Sequence, residues 1–219
     1  CASIKIINLN TDGVMFSINE ADMPKIYAIN EEWQNRTGFI LEETKIKKIV
    51  QKDVNNYIAV TSDGDIKTKG AYVTFGISQA GAFNINNNYT IIKKAIIEYF
   101  VNGTPVEKTI NNDILEFQYI AKASNKYTHC YHIVDGKKVP VQKVNRVYAT
   151  KDKRYGTLYK VHKETGRPAK IEDLPKHCII DNRNALDIQN IDKEHYIKKA
   201  KKMINDFLGK EQLEMGMSE

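Results

Sequence analysis

IKIINLNTDGVMFSI, residues 4–18, is the stretch on which the fold turns. Ile4, Ile6, Ile7 and Leu9 lead into Thr11-Asp12-Gly13, and Val14, Met15, Phe16 and Ile18 lead out. An Asp-Gly step between two apolar runs predicts a β-hairpin, because glycine accepts the positive φ that a tight turn needs. Both strands are nearly continuous in apolar residues, which predicts that both of their faces are covered. The turn carries one carboxylate, Asp12. Turn chemistry alone accounts for it, since Asp and Gly favour such turns. The competing role is a metal ligand, because the adjoining strands would hold the carboxylate rigidly.

Working outward, residues 21–37 predict a helix. Ala21, Met23, Ile26, Tyr27, Ile29 and Trp33 make an apolar stripe, Pro24 suits the first turn and Gly38 ends it. NYIAVT (56–61) and DIKTKGAYV (65–73) predict a second hairpin turning at Ser62-Asp63-Gly64. The Gly/Ala/Asn-rich run GISQAGAFNINNNY (76–89) marks a domain boundary, giving domains over 1–80 and 81–219. Ile91, Ile92, Ala95, Ile96, Tyr99 and Phe100 then repeat with helical spacing, with Thr90 as cap and Gly103 and Pro105 closing. A further helix is expected over 111–123, and short strands over 127–161 around Asp135-Gly136 and Tyr155-Gly156. A final helix is expected over about 192–208, with Asp192 as cap and Gly209 as stop. The fold class is α+β.

Composition narrows the function. Hydrophobic residues make up 42% of the 219 and charged residues 27%, enough for an ordinary core. No apolar run approaches the ~20 residues of a membrane span, and no signal-peptide pattern is seen in these residues. Three cysteines (Cys1, Cys130, Cys178) without C-x-x-C spacing point to a reducing compartment. Cys1 in place of Met suits a processed product, a trimmed chain or a fragment. The net charge of +6 is uneven: residues 121–219 hold 21 Lys/Arg against 13 Asp/Glu, and residues 1–120 hold 12 against 14. A basic C-terminal half favours a polyanionic partner, with a solvated lysine-rich surface as the plainer alternative.

Two segments carry a resemblance. IINLNTDGVMFSI resembles motif C of family B DNA polymerases, usually written Y-x-D-T-D-S, a hairpin of the palm. Asn10 stands at the first Asp of that motif, Thr11 at Thr, Asp12 at the second Asp and Gly13 at Ser. DIKTKGAYV is similar to the basic K-x-Y-type motif that follows, through Lys67, Lys69 and Tyr72. The order of elements resembles bacteriophage-type members, specifically over about residues 4–72 and in general texture beyond residue 90.

The resemblance implies palm-type antiparallel hairpins over 1–80, followed by a mixed helical and short-strand thumb over 81–219. It implies Asp12 as a catalytic ligand of Mg²⁺, since nucleotidyl transfer uses divalent cations to neutralise phosphate charge and activate the attacking oxygen. Asn10 brings no charge, so position 10 departs from the pattern. Lys67, Lys69 and Tyr72 would hold a DNA primer–template. Lys143, Arg146, Lys151, Lys153 and Arg154 are further candidate phosphate contacts. Neither motif A nor motif B occurs, nor do the exonuclease motifs. The chain is therefore expected to be the C-terminal piece of a DNA-directed DNA polymerase, inactive alone. Its partners would be deoxynucleoside triphosphates and an upstream segment carrying motifs A and B, in the cytoplasm of a phage-infected or prophage-carrying bacterium. The alternative is a non-enzymatic, basic nucleic-acid-binding protein. One more cluster, His129, Cys130 and His132 with His177 and Cys178, has residue types suited to zinc. Its spacing is unlike the usual ligand pairs, and adjacent strand residues face opposite ways.

Overall fold

The apolar runs on either side of the Thr11–Gly13 turn pair as an antiparallel hairpin in the computed structural model, which describes residues 3–11, 13–70, 88–111 and 113–209. The chain divides into two units, Cys1–Lys69 and Gly70–Glu219. The boundary expected at residues 80/81 lies outside the described residues. Helices and antiparallel sheets are mixed throughout, so the fold is α+β. No helix among the described residues is long and apolar enough to cross a membrane.

In the first unit, β1 (Lys5–Asn10) pairs with β2 (Gly13–Ser17), with Leu9 opposite Val14 and Asn10 opposite Gly13. A 3₁₀ turn, Glu20–Asp22, leads into α1 (Met23–Thr37), with Pro24 in its first turn. Gly38 ends α1 at φ 74°, a left-handed conformation that glycine adopts without a Cβ clash, and its N–H donates to the Gln34 carbonyl at 2.8 Å. β3 (Ile46–Asp53), β4 (Asn56–Thr61) and β5 (Ile66–Lys69) form a meander with β4 in the middle. β4 and β5 are the anticipated hairpin as far as Lys69, and residues 71–73 of its expected second arm lie outside the described residues. β3 was not anticipated, because its sequence IKKIVQKD breaks the alternation that marks a half-buried strand.

The expectation that both faces of the first hairpin are covered is not met. Ile6 is 61% exposed, Leu9 64% and Val14 50%. Among the described residues β1 and β2 make a sheet of two strands, and a lone hairpin buries little by itself. The apolar stripe of α1 is likewise open: none of its residues is buried, and Trp33 stacks on Phe39 instead, ring centroids 6.1 Å apart.

The second unit has a true core. α2 (Thr90–Asn102) and the four-residue α3 (Val106–Thr109) precede a 3₁₀ turn, Ile114–Phe117. The strands are β6 (Tyr119–Lys122), β7 (Tyr127–Val134), β8 (Lys137–Val141), β9 (Val144–Ala149), β10 (Tyr155–His162), β11 (Pro168–Lys170) and β12 (Cys178–Ile180). α4 (Lys193–Leu208) closes the unit. One antiparallel sheet runs β11-β10-β7-β8, and a second runs β12-β9-β6. Ala121, Val147 and Cys178 of the smaller sheet pack with Cys130 and Leu158 of the larger and with Ile171. Ile91, Ile92, Ala95, Ile96 and Phe100 of α2 and Tyr196, Ala200, Ile204 and Phe207 of α4 supply the helical part of the core. Phe100 and Phe207 meet at 5.0 Å between ring centroids. Each such large side chain contributes about 1.5–3 kcal/mol relative to exposure.

Two local expectations are corrected. Residues 111–123 are not a helix. Asp113 accepts the Leu115 N–H at 3.0 Å and closes a 3₁₀ turn, after which β6 pairs with β9. Burial of Phe117 and sheet pairing override an apolar pattern that read as helical. The short strands expected over 127–161 are present, and Tyr155-Gly156 begins β10. The turn lies at Asp152–Tyr155, and Gly156 faces Ile133, where a Cβ would come within 2.8 Å of the Ile133 Cβ. The start of α2 is set by Tyr89, which occupies the N-cap at φ 52° and donates its hydroxyl to the Asp173 carbonyl at 2.6 Å.

Candidate nucleic-acid interface

Asn10 and Gly13 face each other at the end of the first hairpin. Asp12 and Tyr72 lie outside the described residues. Asn10 sits exposed at the end of β1. Lys67 and Lys69 are both exposed and, two residues apart, share one face of β5, opposite Ala59 and Tyr57 of β4. The Lys67 ammonium donates to Thr44 Oγ1 at 3.3 Å. Among the described residues, no group of three or more His, Cys, Asp or Glu side chains is placed to hold a metal ion. The described residues therefore do not by themselves fit a two-cation site, and one further carboxylate, Asp12, does not supply enough ligands to assemble it alone.

The candidates of the second unit differ in how far the protein already occupies them. Lys143 is half-buried beside β6, its carbonyl accepting the Ala123 N–H at 2.8 Å. Arg146 is tied into the loop after β12. Its backbone N–H donates to Asn182 Oδ1 at 2.8 Å, its guanidinium donates to Asn184 Oδ1, and its carbonyl accepts the Asp181 N–H at 3.0 Å. Burial would raise the Asp181 carboxyl. The N–H groups of Leu186, Ala185 and Arg183, together with the Arg146 charge, outweigh that and hold it below the usual range. Arg154 forms a bidentate pair with Asp152, with the shortest contact at 2.6 Å, and lies over the Tyr155 ring. Lys151 and Lys153 flank Asp152, exposed.

The sheet register brings together residues that a linear reading does not connect. Lys170 of β11 lies opposite Tyr159 of β10, Tyr159 opposite Tyr131 of β7, and Tyr131 opposite Pro140 of β8. The Tyr131 and Tyr159 rings stack at 5.2 Å with 9° between planes, and the Lys138 ammonium sits 5.1 Å from the Tyr131 centroid. The alternation in YTHCYHIV signals such a face, but the row depends on the register of four strands.

The His/Cys residues are divided between the core and the surface of this unit. Cys130 and Cys178 are free, buried thiols, and burial pushes the Cys178 pKa up to about 12. His177 Nδ1 donates to the Tyr155 carbonyl at 2.8 Å, and His132 Nε2 to the Gly156 carbonyl at 3.1 Å. His129 is exposed, beside the Thr128 hydroxyl.

Burial lowers the pKa of His132, against hydrogen bonds to the Gly156 and Cys178 backbone. Burial and then the nearby Lys199 lower that of His195, against Asp192. Both titrate near 6.5 once the chain unfolds. Below that pH the unfolded chain binds more protons than the folded one, so stability is full above about 6.5 and falls as the pH drops toward 5, by at most about 1.4 kcal/mol per pH unit for each histidine. Urea midpoints measured at pH 7.5 and 5.5 should show this fall, and the H132Q/H195Q variant should flatten it. An unchanged pH dependence in that variant would refute the assignment.

No protein-family model matches this sequence, and no curated protein matches it significantly.

Proposed function

We propose that this chain is the motif C palm portion and thumb of a bacteriophage-type family B DNA polymerase. It would contribute one metal-binding carboxylate, Asp12, and primer–template contacts to template-directed nucleotide addition. The observation that carries the proposal is the order of elements in the first unit. A hairpin pairs Asn10 with Gly13 on either side of the Thr-Asp step, a helix follows, and then a meander whose edge strand presents Lys67 and Lys69 on one exposed face. The open apolar strands of the hairpin support the same reading, since a palm whose other layer comes from different polypeptide would expose these residues. Mg²⁺ would be held by Asp12 together with a carboxylate from the segment bearing motif A, and no step through the cation is assigned to this chain alone.

The test is reconstitution. The 219-residue chain by itself should give no primer extension. Mixing it with the polypeptide encoded upstream, if that carries motifs A and B, should give Mg²⁺-dependent extension. Extension by the isolated chain, or an upstream sequence without those motifs, would overturn the proposal. In the second case the reading becomes the non-enzymatic nucleic-acid-binding protein, favoured by the concentration of lysines on the second unit.

A further inference from the structure

We propose that the outer face of the β11-β10-β7-β8 sheet binds single-stranded nucleic acid, through Lys138, Lys170 and the ring of Tyr159. This surface lies outside the contacts proposed above, and its argument does not depend on polymerisation. The opposite face of the sheet is the one that carries Cys130 and Leu158 into the core, so Tyr131, Tyr159, Lys138 and Lys170 point away from it. Tyr131 forms a floor, largely covered by Tyr159 and Lys138, while Tyr159 is half-buried and Lys138 and Lys170 are exposed. Neither lysine has a carboxylate partner among the described residues. By contrast, Lys160 of the same strand pair is committed to Glu172 at 2.7 Å.

Charge identifies the class of occupant. Residues 126–141 and 155–170, the four strands with their turns, hold seven Lys/Arg against two Asp/Glu. A polyanion is therefore drawn to this sheet rather than to the chain at large. The flat aromatic row between two ammonium groups selects among polyanions. A base offers a π-face to Tyr159 while the phosphates on either side meet Lys138 and Lys170. An acidic peptide has charge but no such plane. Duplex DNA keeps its bases stacked on each other, which leaves the ring without a partner.

Binding of the whole chain to fluorescein-labelled 20-nucleotide single strands, followed by anisotropy across a salt series, tests the proposal. The K138Q/K170Q variant should lower the slope of log K against log salt by about 1.4, two phosphate contacts on a single strand. Y159L should weaken binding about tenfold with little change in slope, because stacking is not ionic. A matched duplex and polyglutamate of equal charge should both compete poorly. An unchanged slope in K138Q/K170Q, no binding by the native chain, or equal competition by polyglutamate would each overturn the proposal. So would tighter duplex binding that Y159L leaves intact. If Y159L fails to fold, the lysine variant decides alone, since both lysines are exposed. Failure here leaves primer extension untouched, and failure of primer extension leaves this binding untouched, so the two proposals fall separately.

Discussion

Replacing Asp12 by asparagine in the polymerase we propose is expected to abolish nucleotide addition as completely as replacing it by alanine. The comparison separates the two roles that a Thr-Asp-Gly turn allows. If Asp12 served only the turn, Asn would replace it almost without cost, since Asn forms the same side-chain turns and tolerates the same backbone conformations. If Asp12 neutralises a divalent cation, the neutral amide of D12N fails despite its matching shape. The loss in rate should exceed the roughly 10²–10³-fold cost of removing a single oxyanion-hole donor, because charge at the reacting phosphate is the larger part of this chemistry. Affinity for primer–template should change little in either variant, because the lysine contacts we propose are elsewhere. Primer extension and DNA binding measured side by side on D12A and D12N check the prediction. D12N that extends primers at the native rate would make Asp12 a turn former.

The parts of the fold that were legible in the sequence are those fixed by local chemistry. Pro24 and Gly38 bracket α1, and Gly103 and Gly209 stop α2 and α4, where the backbone turns left-handed. Asp135 and Gly136 turn β7 into β8 with φ of 49° and 72°, as an Asp-Gly step between strands requires. What the sequence did not show depends on partners distant in the chain. The segment 114–122 carries an apolar pattern that either a helix or a strand satisfies, and pairing with β9 decides for the strand. The candidate phosphate contacts show the same limit. Arg146 and Arg154 read as basic loop residues, yet one is bound to the Asn182–Asn184 loop and the other to Asp152. Lys138 and Lys170 lie instead on a sheet face whose row, Lys170-Tyr159-Tyr131, spans forty residues of sequence and exists only once three strands are in register. The hairpin at residues 5–17 is the opposite case. Its geometry was legible, but the expected covering of its strands was not met, because burial depends on layers that a hairpin sequence cannot supply.

Tyr196 makes the second unit sensitive to a single change. Its side chain is fully buried in α4, and its hydroxyl donates to the Phe117 carbonyl and accepts the Ala149 N–H, both at 2.9 Å. One oxygen thus satisfies the end of the 3₁₀ turn and the last residue of β9, while the ring packs edge-on against Phe117 at 5.0 Å. It joins α4 to the smaller sheet. Tyr196→Phe keeps nearly all the packing and removes the oxygen, stranding a buried N–H and a buried C=O. At about 1–3 kcal/mol for each orphaned group, the expected loss is about 2–6 kcal/mol. Tyr196→Leu would also remove the ring and should cost more, through lost contacts and a partly unfilled space. The contrast matters because a tyrosine placed only for its ring would lose almost nothing on conversion to Phe. Urea unfolding followed by far-UV circular dichroism on the native, Y196F and Y196L chains measures both effects. A Y196F midpoint equal to the native one would show that the hydroxyl bonds do not hold the helix to the sheet.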